Sequence, residues 1–237
     1  MDNKWHIGMT EKAIRERVVA EAVKWIGVRE GTVEHKRIVD TYNSQGKLPR
    51  GYKLQYTDAW CAGFVSFLGI VLGISHIILP ECSCSKMIEL YKAQGRWEEW
   101  DAFVPRPGDL IMYDWDAKSG ECTGAPDHVG MVVSVKGKTI RVLEGNYQNK
   151  VQYRDICVEY VKTRGFCLPD YASLVHNYTD VPDDIWYAKE ITKATELGIV
   201  NGVGNGEFDP ERPVTRAECA AIAVRTYEKI LQAIKGE

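Results

Sequence analysis

The chain has 237 residues, 45% hydrophobic and 27% charged, which is the composition of an ordinary globular protein with material for a real core, neither disordered nor fibrous. Its 30 basic and 33 acidic residues leave a formal charge of -3, so no basic excess exists to neutralise a phosphate backbone or an anionic bilayer, and nucleic acid is not expected as a partner. The longest apolar run, 64–74, falls far short of the roughly 20 residues a membrane span needs, and the N-terminus MDNKWHIGMTEKAIRER is charged where a secretory leader would be apolar. The expectation is no membrane span and synthesis in the cytoplasm without a signal peptide, with another route of release for any role outside the cell.

Over 11–26 the residues Ile14, Val18, Val19, Ala22, Val23 and Ile26 recur at helical spacing, with Thr10 as N-cap and Gly27 as stop, which predicts an amphipathic helix. A shorter helix is expected over 35–43, followed by a Gly/Pro/Tyr-rich loop over 46–58. Residues 60–74 are apolar nearly all round and end near Gly73, the pattern of a buried central helix with Cys61 in its first turn. After a further helix over 85–94 the pattern changes. Pro105, Pro107 and Gly108 punctuate the chain, and DLIMYDW, HVGMVVSV, TIRVLEGNY and VQYRDICVEYV carry the β-branched and aromatic enrichment of strands. Helices first and strands second predict an α+β fold with an antiparallel sheet packed against the early helices. A linker is expected over 168–178, dividing a domain over 1–170 from a small all-α module over 171–237. That module reads as a helix over 185–197 ending at Gly198, a Gly-rich loop over 201–213 and a helix over 215–234, too little chain to bury much surface alone.

Seven cysteines at 61, 82, 84, 122, 157, 167 and 219 are an odd number without the spacing of a disulfide framework. Cys82-x-Cys84 lacks the partner pair of a zinc site and reads as structural or incidental. Cys61 is different in placement: a thiol in the first turn of a helix meets the positive end of the helix dipole, and an imidazole beside it would hold it as a nucleophilic thiolate. The plain alternative is a core cysteine, since free cysteines are among the most buried residues, and the partners decide between the two. His128 opens the run DHVGMVVSVKGKTIRVLEGNY, which has the form of a hairpin turning at Lys136, Gly137 and Lys138. With those three as the loop, His128 faces Asn146 and Gly130 faces Glu144, all on one side of the ribbon. Gly130 leaves room for the Glu144 carboxylate to lean toward the imidazole. A slip of one residue would put Glu144 on the opposite face and dismantle the site. In this arrangement Cys61 attacks, His128 moves the proton, and Glu144 or Asn146 fixes the imidazole tautomer, which is the logic of covalent acyl transfer.

The segments WCAGFVS at 60–66, PRPGDLIMYDW at 105–115, DHVGMVVSV at 127–135 and LEGN at 143–146 resemble, in that order, the CHAP family of peptidoglycan amidases and endopeptidases, over roughly residues 10–170. The resemblance implies a papain-like domain of the kind shared with NlpC/P60 enzymes, with Cys61 as nucleophile, His128 as base, and Glu144 and Asn146 orienting it. It also implies cleavage of a wall-peptide amide through a thioester acyl-enzyme, with no cofactor. Gln55, six residues before Cys61, matches the offset at which papain-like proteases place an oxyanion glutamine; Tyr56 is equally near, and a solvated loop residue is the plain reading. The calcium-binding D-x-D of some relatives is not present in GYKLQYTDAWC, so no metal is expected. Trp97, Trp100 and Trp115 read either as a glycan-stacking groove or as core. Two alternatives stay open: a non-catalytic wall-binding or assembly protein on a vestigial hydrolase fold, and a γ-D-glutamyl endopeptidase of the NlpC/P60 type.

The segment 178–227 contains TDVP, Trp186, GIVNG, a Gly-x-Phe-x-Pro turn and TRAE, and resembles a single S-layer homology (SLH) repeat, a family that anchors proteins to secondary cell-wall polymers, commonly in three copies. By that resemblance Trp186, Thr215, Arg216 and Glu218 are candidate wall contacts. Thr215 and Glu218 also form a T-x-x-E capping box, and the Arg216 guanidinium suits an acidic polymer substituent. NGVGNGEFDPER is not a calcium loop, because its third and twelfth positions are Val203 and Arg212. One repeat lacks the multivalency of three, so either several chains associate through this module into a homo-oligomer, which is the expectation here, or its affinity for the wall is modest. The combined expectation is a hydrolase of bacterial peptidoglycan held on the wall, a phage or prophage endolysin reaching its substrate by holin-type release, with a host autolysin as the alternative.

Overall fold

The computed structural model describes residues 5–6, 8–99, 103–117, 124–175, 178–182 and 184–235; Trp100 and Cys122 lie outside them. Two compact units emerge, one of Arg15–Asp170 and one that joins the segment from Tyr171 to the residues up to Ile14. The described residues up to Ile14, which the sequence reading places with the first domain, cluster with the C-terminal segment.

The helices form where the apolar spacing and caps put them. Helix α1 (Glu11–Val23) starts at Thr10, whose Oγ1 accepts from the Ala13 amide at 3.2 Å, and the chain turns away at Gly27 with φ +89°. Helix α2 (Val33–Asn43) is capped by Thr32 and buries His35, Ile38, Val39 and Tyr42. Helix α3 (Cys61–Val71) is buried on all sides from Cys61 to Gly69, as its uninterrupted apolar sequence requires, and the chain leaves it at Gly73 with φ +69°. Helix α4 (Cys84–Ala93) begins after Ser83, whose side chain accepts from the Lys86 amide.

The six strands are β1 (Trp97–Glu99), β2 (Leu110–Tyr113), β3 (His128–Lys136), β4 (Thr139–Tyr147), β5 (Lys150–Cys157) and β6 (Thr163–Cys167). They make one antiparallel sheet in the order β1-β6-β2-β3-β4-β5. Strands β1 and β6 are additions to the sequence reading. The first is three residues with two glutamates, and the second carries Gly165 at φ +147° against Trp97, so neither shows the alternation that marks a strand. One sheet face holds an apolar cluster of Ile111, Tyr113, Val132, Ile140, Val142, Ile156 and Phe166.

The β3–β4 hairpin corrects the expected turn. Its loop is Gly137 and Lys138 alone: Lys136 pairs with Thr139 and Val135 with Ile140, one residue out of the predicted register. An irregularity between Val132 and Ser134 then absorbs one residue, so that Val132 faces Val142 and Met131 faces Leu143, as predicted. A bulge of this kind sets two residues against one and shifts the pairing beyond it. On the far side of it, Gly130 lies against Glu144: a Cβ on Gly130 would come 2.8 Å from Glu144 Cγ and 2.5 Å from Val142 Cγ1.

Helix α3 packs on β3 and β4, and its approach depends on Gly145, where a Cβ would stand 2.6 Å from Phe64 Cβ. Phe64 is one turn from Cys61, so this contact sets how closely the cysteine end of the helix approaches the sheet.

The C-terminal unit contains a short 3-10 turn (Tyr171–Leu174), helix α5 (Ala188–Glu196) and helix α6 (Arg216–Lys235). Helix α5 starts three residues later than expected because Tyr187 takes the N-cap position. Tyr178, Val181, Ala188 and Ile191 form its core, with Phe208 packed on them. Asp180 folds the glycine-rich loop by accepting from the amides of Phe208 at 2.9 Å and Asp209 at 2.7 Å. Among the described residues no helix is long and apolar enough to cross a membrane.

Gly145→Ala is expected to lower unfolding free energy by about 1–3 kcal/mol, the usual cost of overpacking a filled core, because the Phe64 contact leaves no space for a methyl. Urea unfolding followed by circular dichroism measures it; an unchanged midpoint would show that α3 does not rest on this contact.

Candidate active site

Cys61 is the first residue of α3 and is 3% exposed, near the start of β3. The Val129 amide and the His128 side chain both act on the thiol, favouring its ionised form. His128 is the first residue of β3 and is buried. Its Nε2 stands 3.3 Å from Glu144 Oε2, an ion pair rather than an aligned hydrogen bond. With Nε2 turned to Glu144, Nδ1 is the nitrogen left for Cys61. Glu144 is fully buried on β4. The structure thus brings Cys61, His128 and Glu144 into one cluster, and between Glu144 and Asn146 it is Glu144 that meets the imidazole. Asn146 follows on the same strand in a left-handed conformation, φ +60°, with its Oδ1 buried and unpartnered.

The sequence reading missed Arg154. Its Nε and Nη2 donate to Glu144 Oε1 at 3.0 and 2.7 Å, leaving Oε2 for His128. Aromatic rings surround the guanidinium: Tyr113 at 4.3 Å, Trp115 at 4.6 Å and Tyr147 at 4.6 Å from its carbon to the ring centroids. Trp115 also stacks on Tyr113 and lies 5.7 Å from the His128 ring, so it belongs to this cage. The signal for Arg154 lay in the β4–β5 hairpin. Glu144 pairs with Gln152 and Val142 with Arg154, so side chains 144 and 154 share a face as diagonal neighbours.

The electrostatics run in one direction. The Cys61 thiol is held well below the ordinary cysteine range, first by a hydrogen bond from the Cys84 thiol at 3.8 Å, then, against burial, by the hydrogen bond and charge of His128. Burial pulls the His128 imidazole down, but the attraction of Cys61 and Glu144 outweighs it and raises the group to about 9. Burial pushes the Glu144 carboxyl up, yet His128, Arg154 and the Tyr113 hydroxyl together keep it below the usual carboxylate value. A thiolate beside an imidazolium, with a carboxylate behind it, is an activated nucleophile with its proton donor already loaded.

Gln55 is exposed, and its Nε2 donates to the Lys53 carbonyl at 2.7 Å, so one of its amide hydrogens is engaged within its own loop. In the C-terminal unit, Thr215 and Glu218 form the capping box: the Glu218 amide donates to Thr215 Oγ1 at 3.2 Å and the Thr215 amide to Glu218 Oε2 at 2.8 Å. Arg212 adds a hydrogen bond to Glu218 Oε1 at 2.6 Å, and these contacts lower the carboxyl to about 2. A groove of about 540 Å³ runs beside this box, lined among others by Phe208, Arg212, Glu218 and Arg225. Of the four residues proposed for wall contact, only Glu218 lines it; Trp186, 82% exposed, and the exposed Arg216 and Thr215 do not. No group of three or more potential metal ligands occurs among the described residues.

A helix-start thiol, a strand-start imidazole and a buried carboxylate, carried by helices on an antiparallel sheet, have the arrangement that cysteine-dependent acyl transfer requires. Comparison with known proteins is more specific. The family model of the CHAP domain matches residues 51–146 and that of the S-layer homology domain matches residues 177–220. The chain therefore carries a CHAP domain followed by a single S-layer homology domain. Among individual relatives, an endoglucanase of Bacillus sp. (strain KSM-635) is 56% identical over 43 residues, which is 18% of this chain and 5% of that protein. The surface-layer 125 kDa protein of Lysinibacillus sphaericus is 42% identical over 52 residues, 22% of this chain and 4% of that protein. The chain thus spans only a small fraction of these relatives. Of solved structures, the crystal structure of Ly7917 aligns with a TM-score of 0.31 at 19% identity, over 46% of this chain and 53% of that one, a likeness too slight to carry an argument.

The His128 imidazolium is expected to persist up to about pH 9, and Cys61→Ser to bring its midpoint down toward the usual 6.5, because Cys61 is the largest attraction holding the proton. A pKa raised on folding contributes stability that is complete below about pH 6.5 and is lost as the pH climbs through about 9. Ring-proton NMR titration of both forms checks this; a midpoint near 6.5 in the unmodified protein would contradict the ion pair.

Proposed function

We propose that the protein hydrolyses an amide bond of the peptidoglycan peptide through a thioester on Cys61. The observation that carries this reading is the thiol–imidazole–carboxylate cluster of Cys61, His128 and Glu144. The Cys61 thiolate attacks the amide carbonyl, and the imidazolium of His128 delivers its proton to the leaving amine. Water, deprotonated by the now neutral His128, then hydrolyses the thioester. Glu144 keeps the ring oriented and stabilises its charge, and Arg154 positions Glu144 by occupying the carboxylate oxygen that does not face the histidine. The Cys61 amide, at the helix start, supplies one donor for the tetrahedral oxyanion. Gln55 supplies a second if its amide turns away from Lys53. Asn146, whose buried Oδ1 has no partner, lies two residues beyond Glu144 on β4, and Glu144 alone is assigned the orienting role.

The C-terminal unit anchors the enzyme to a cell-wall polymer in this reading. The match to the S-layer homology domain and the groove bearing Arg212 and Arg225 support it, since guanidinium groups suit acidic substituents on a glycan polymer. Capping of α6 by Thr215 and Glu218 is then structural, and the residues at the groove, rather than Trp186, make the polymer contacts.

Cys61→Ala is expected to abolish lysis of purified walls while leaving wall binding intact, with turbidity loss and pelleting as the two readouts. Lysis at the unmodified rate would remove Cys61 as nucleophile and leave a wall-binding protein. Mass spectrometry of the released muropeptides assigns the bond: a free muramic lactyl group marks an N-acetylmuramoyl-L-alanine amidase, and a new stem or cross-bridge terminus an endopeptidase. Arg154→Met is expected to strand the buried Glu144 charge, at a cost of about 3–5 kcal/mol, and to lower kcat more than it raises KM.

A further inference from the structure

Cys84 forms no bond to substrate in the chemistry above; its thiol supports the Cys61 thiolate by a hydrogen bond and so lies against the nucleophile. Its Sγ is 3.8 Å from that of Cys61, and each residue is the first of its helix, α4 and α3. Both thiols are buried and free. A disulfide holds its sulfurs about 2.05 Å apart, so bond formation asks for a further approach of about 1.8 Å. Of the other free cysteines among the described residues, Cys82 turns elsewhere, with its sulfur 3.5 Å from Arg50 Nη2; Cys167, buried on β6, acts on Cys84 through its charge, whereas the close sulfur contact of Cys84 is with Cys61; and Cys157 and Cys219 are exposed on β5 and α6.

We propose that Cys61 and Cys84 are a reversible oxidation site, at which a peroxide converts the thiol pair to a disulfide and a small thiol restores it. The chemistry stands on the juxtaposition of the two sulfurs; its consequence, a switch on hydrolysis, rests on Cys61 being the nucleophile. In the first step the Cys61 thiolate attacks one peroxide oxygen and the O–O bond breaks. The departing hydroxide takes the proton of His128 and leaves as water, and Cys61 becomes a sulfenic acid. In the second step the Cys84 sulfur attacks the sulfenic sulfur and the S–O bond breaks, the hydroxyl leaving with the Cys84 proton as a second water. The two thiols lose two electrons and two protons in all, and the peroxide gains them. Two equivalents of a small thiol return both cysteines to the reduced state.

The electrostatics of the pair favour this order. Cys61 carries the thiolate and reacts first. Cys84 is held protonated, chiefly by its hydrogen bond to Cys61 and then by burial. Once Cys61 is a neutral sulfenic acid, the larger of those two causes is gone and the second thiol becomes easier to ionise. Without a resolving thiol, the sulfenic acid is open to further oxidation to the sulfinic acid, which small thiols do not reverse.

The test treats the full chain with hydrogen peroxide and maps cysteines by tandem mass spectrometry of a non-reduced digest, alongside wall lysis before and after dithiothreitol. The expected result is a Cys61–Cys84 linked peptide, with lysis lost on oxidation and regained on reduction. Cys82→Ser should behave as the unmodified protein, whereas Cys84→Ser should accumulate sulfinic acid on Cys61 and fail to regain lysis. The linkage is read on the unmodified chain, so poor folding of the Cys84 variant would not obscure it. Finding Cys61 over-oxidised in the unmodified chain, or joined to another cysteine, overturns the proposal. The two readings fail separately: a linked peptide with undiminished lysis by Cys61→Ala removes the catalytic role alone, and an inactive Cys61→Ala without a linked peptide removes the switch alone.

Discussion

One buried carboxylate shared between two cations governs the larger unit's interior. Glu144 is wholly removed from solvent, where an isolated carboxylate would take up a proton rather than stay charged. It stays charged because Arg154 holds one oxygen and His128 faces the other. Its charge in turn keeps the imidazole protonated, and the imidazolium keeps the thiol ionised. Signs alternate from guanidinium to carboxylate to imidazolium to thiolate, so the row is neutral as a whole although no member of it is. Removing any one link changes the protonation of the next, which is why these groups must be considered as a set.

The fold is what makes that row geometrically feasible. Adjacent hairpins bring residues from β3, β4 and β5 to neighbouring places on the sheet, and the aromatic side chains of Tyr113, Trp115 and Tyr147 shield the guanidinium from water while offering it their π faces. The sulfur comes from a separate layer. Its helix is wholly apolar and would settle against any hydrophobic surface; the absence of a side chain at Gly145 lets it settle close to this one. The helix N-terminus then points its unpaired amides toward the place where negative charge must rest.

Much of this could be read from residue order alone. The helical spacing of Ile14, Val18 and Ala22, the caps at Thr10 and Gly27 and the all-apolar run after Cys61 are local signals, and local signals survive without tertiary context. The meeting of Cys61, His128 and Glu144 was reached through a turn read one residue out of register, and it holds only because the irregularity between Val132 and Ser134, which no local signal marks, cancels that error. Arg154 was not legible, since its meaning depends on pairing with β4, and a half-buried arginine in a polar, alternating strand looks like any solvated one. Gln55 shows the converse: an offset along the chain says where a backbone lies but not which neighbour, here the Lys53 carbonyl, its side chain prefers. The strands β1 and β6 escaped notice because charge, glycine and brevity conceal a strand that the sheet itself stabilises.

The bulge at Val133 has a separate consequence. A two-residue tip alone would have set the strands out of phase, and the extra residue cancels that error before the ribbon reaches His128 and Glu144. The hairpin therefore works like a vernier, with its outer end free to follow turn preferences and its inner end obeying the catalytic spacing. Segments grafted at Gly137 or Lys138 leave the inner alignment untouched, whereas deletion of a single residue between Val132 and Ser134 would invert every side chain beyond it while the turn itself stayed intact.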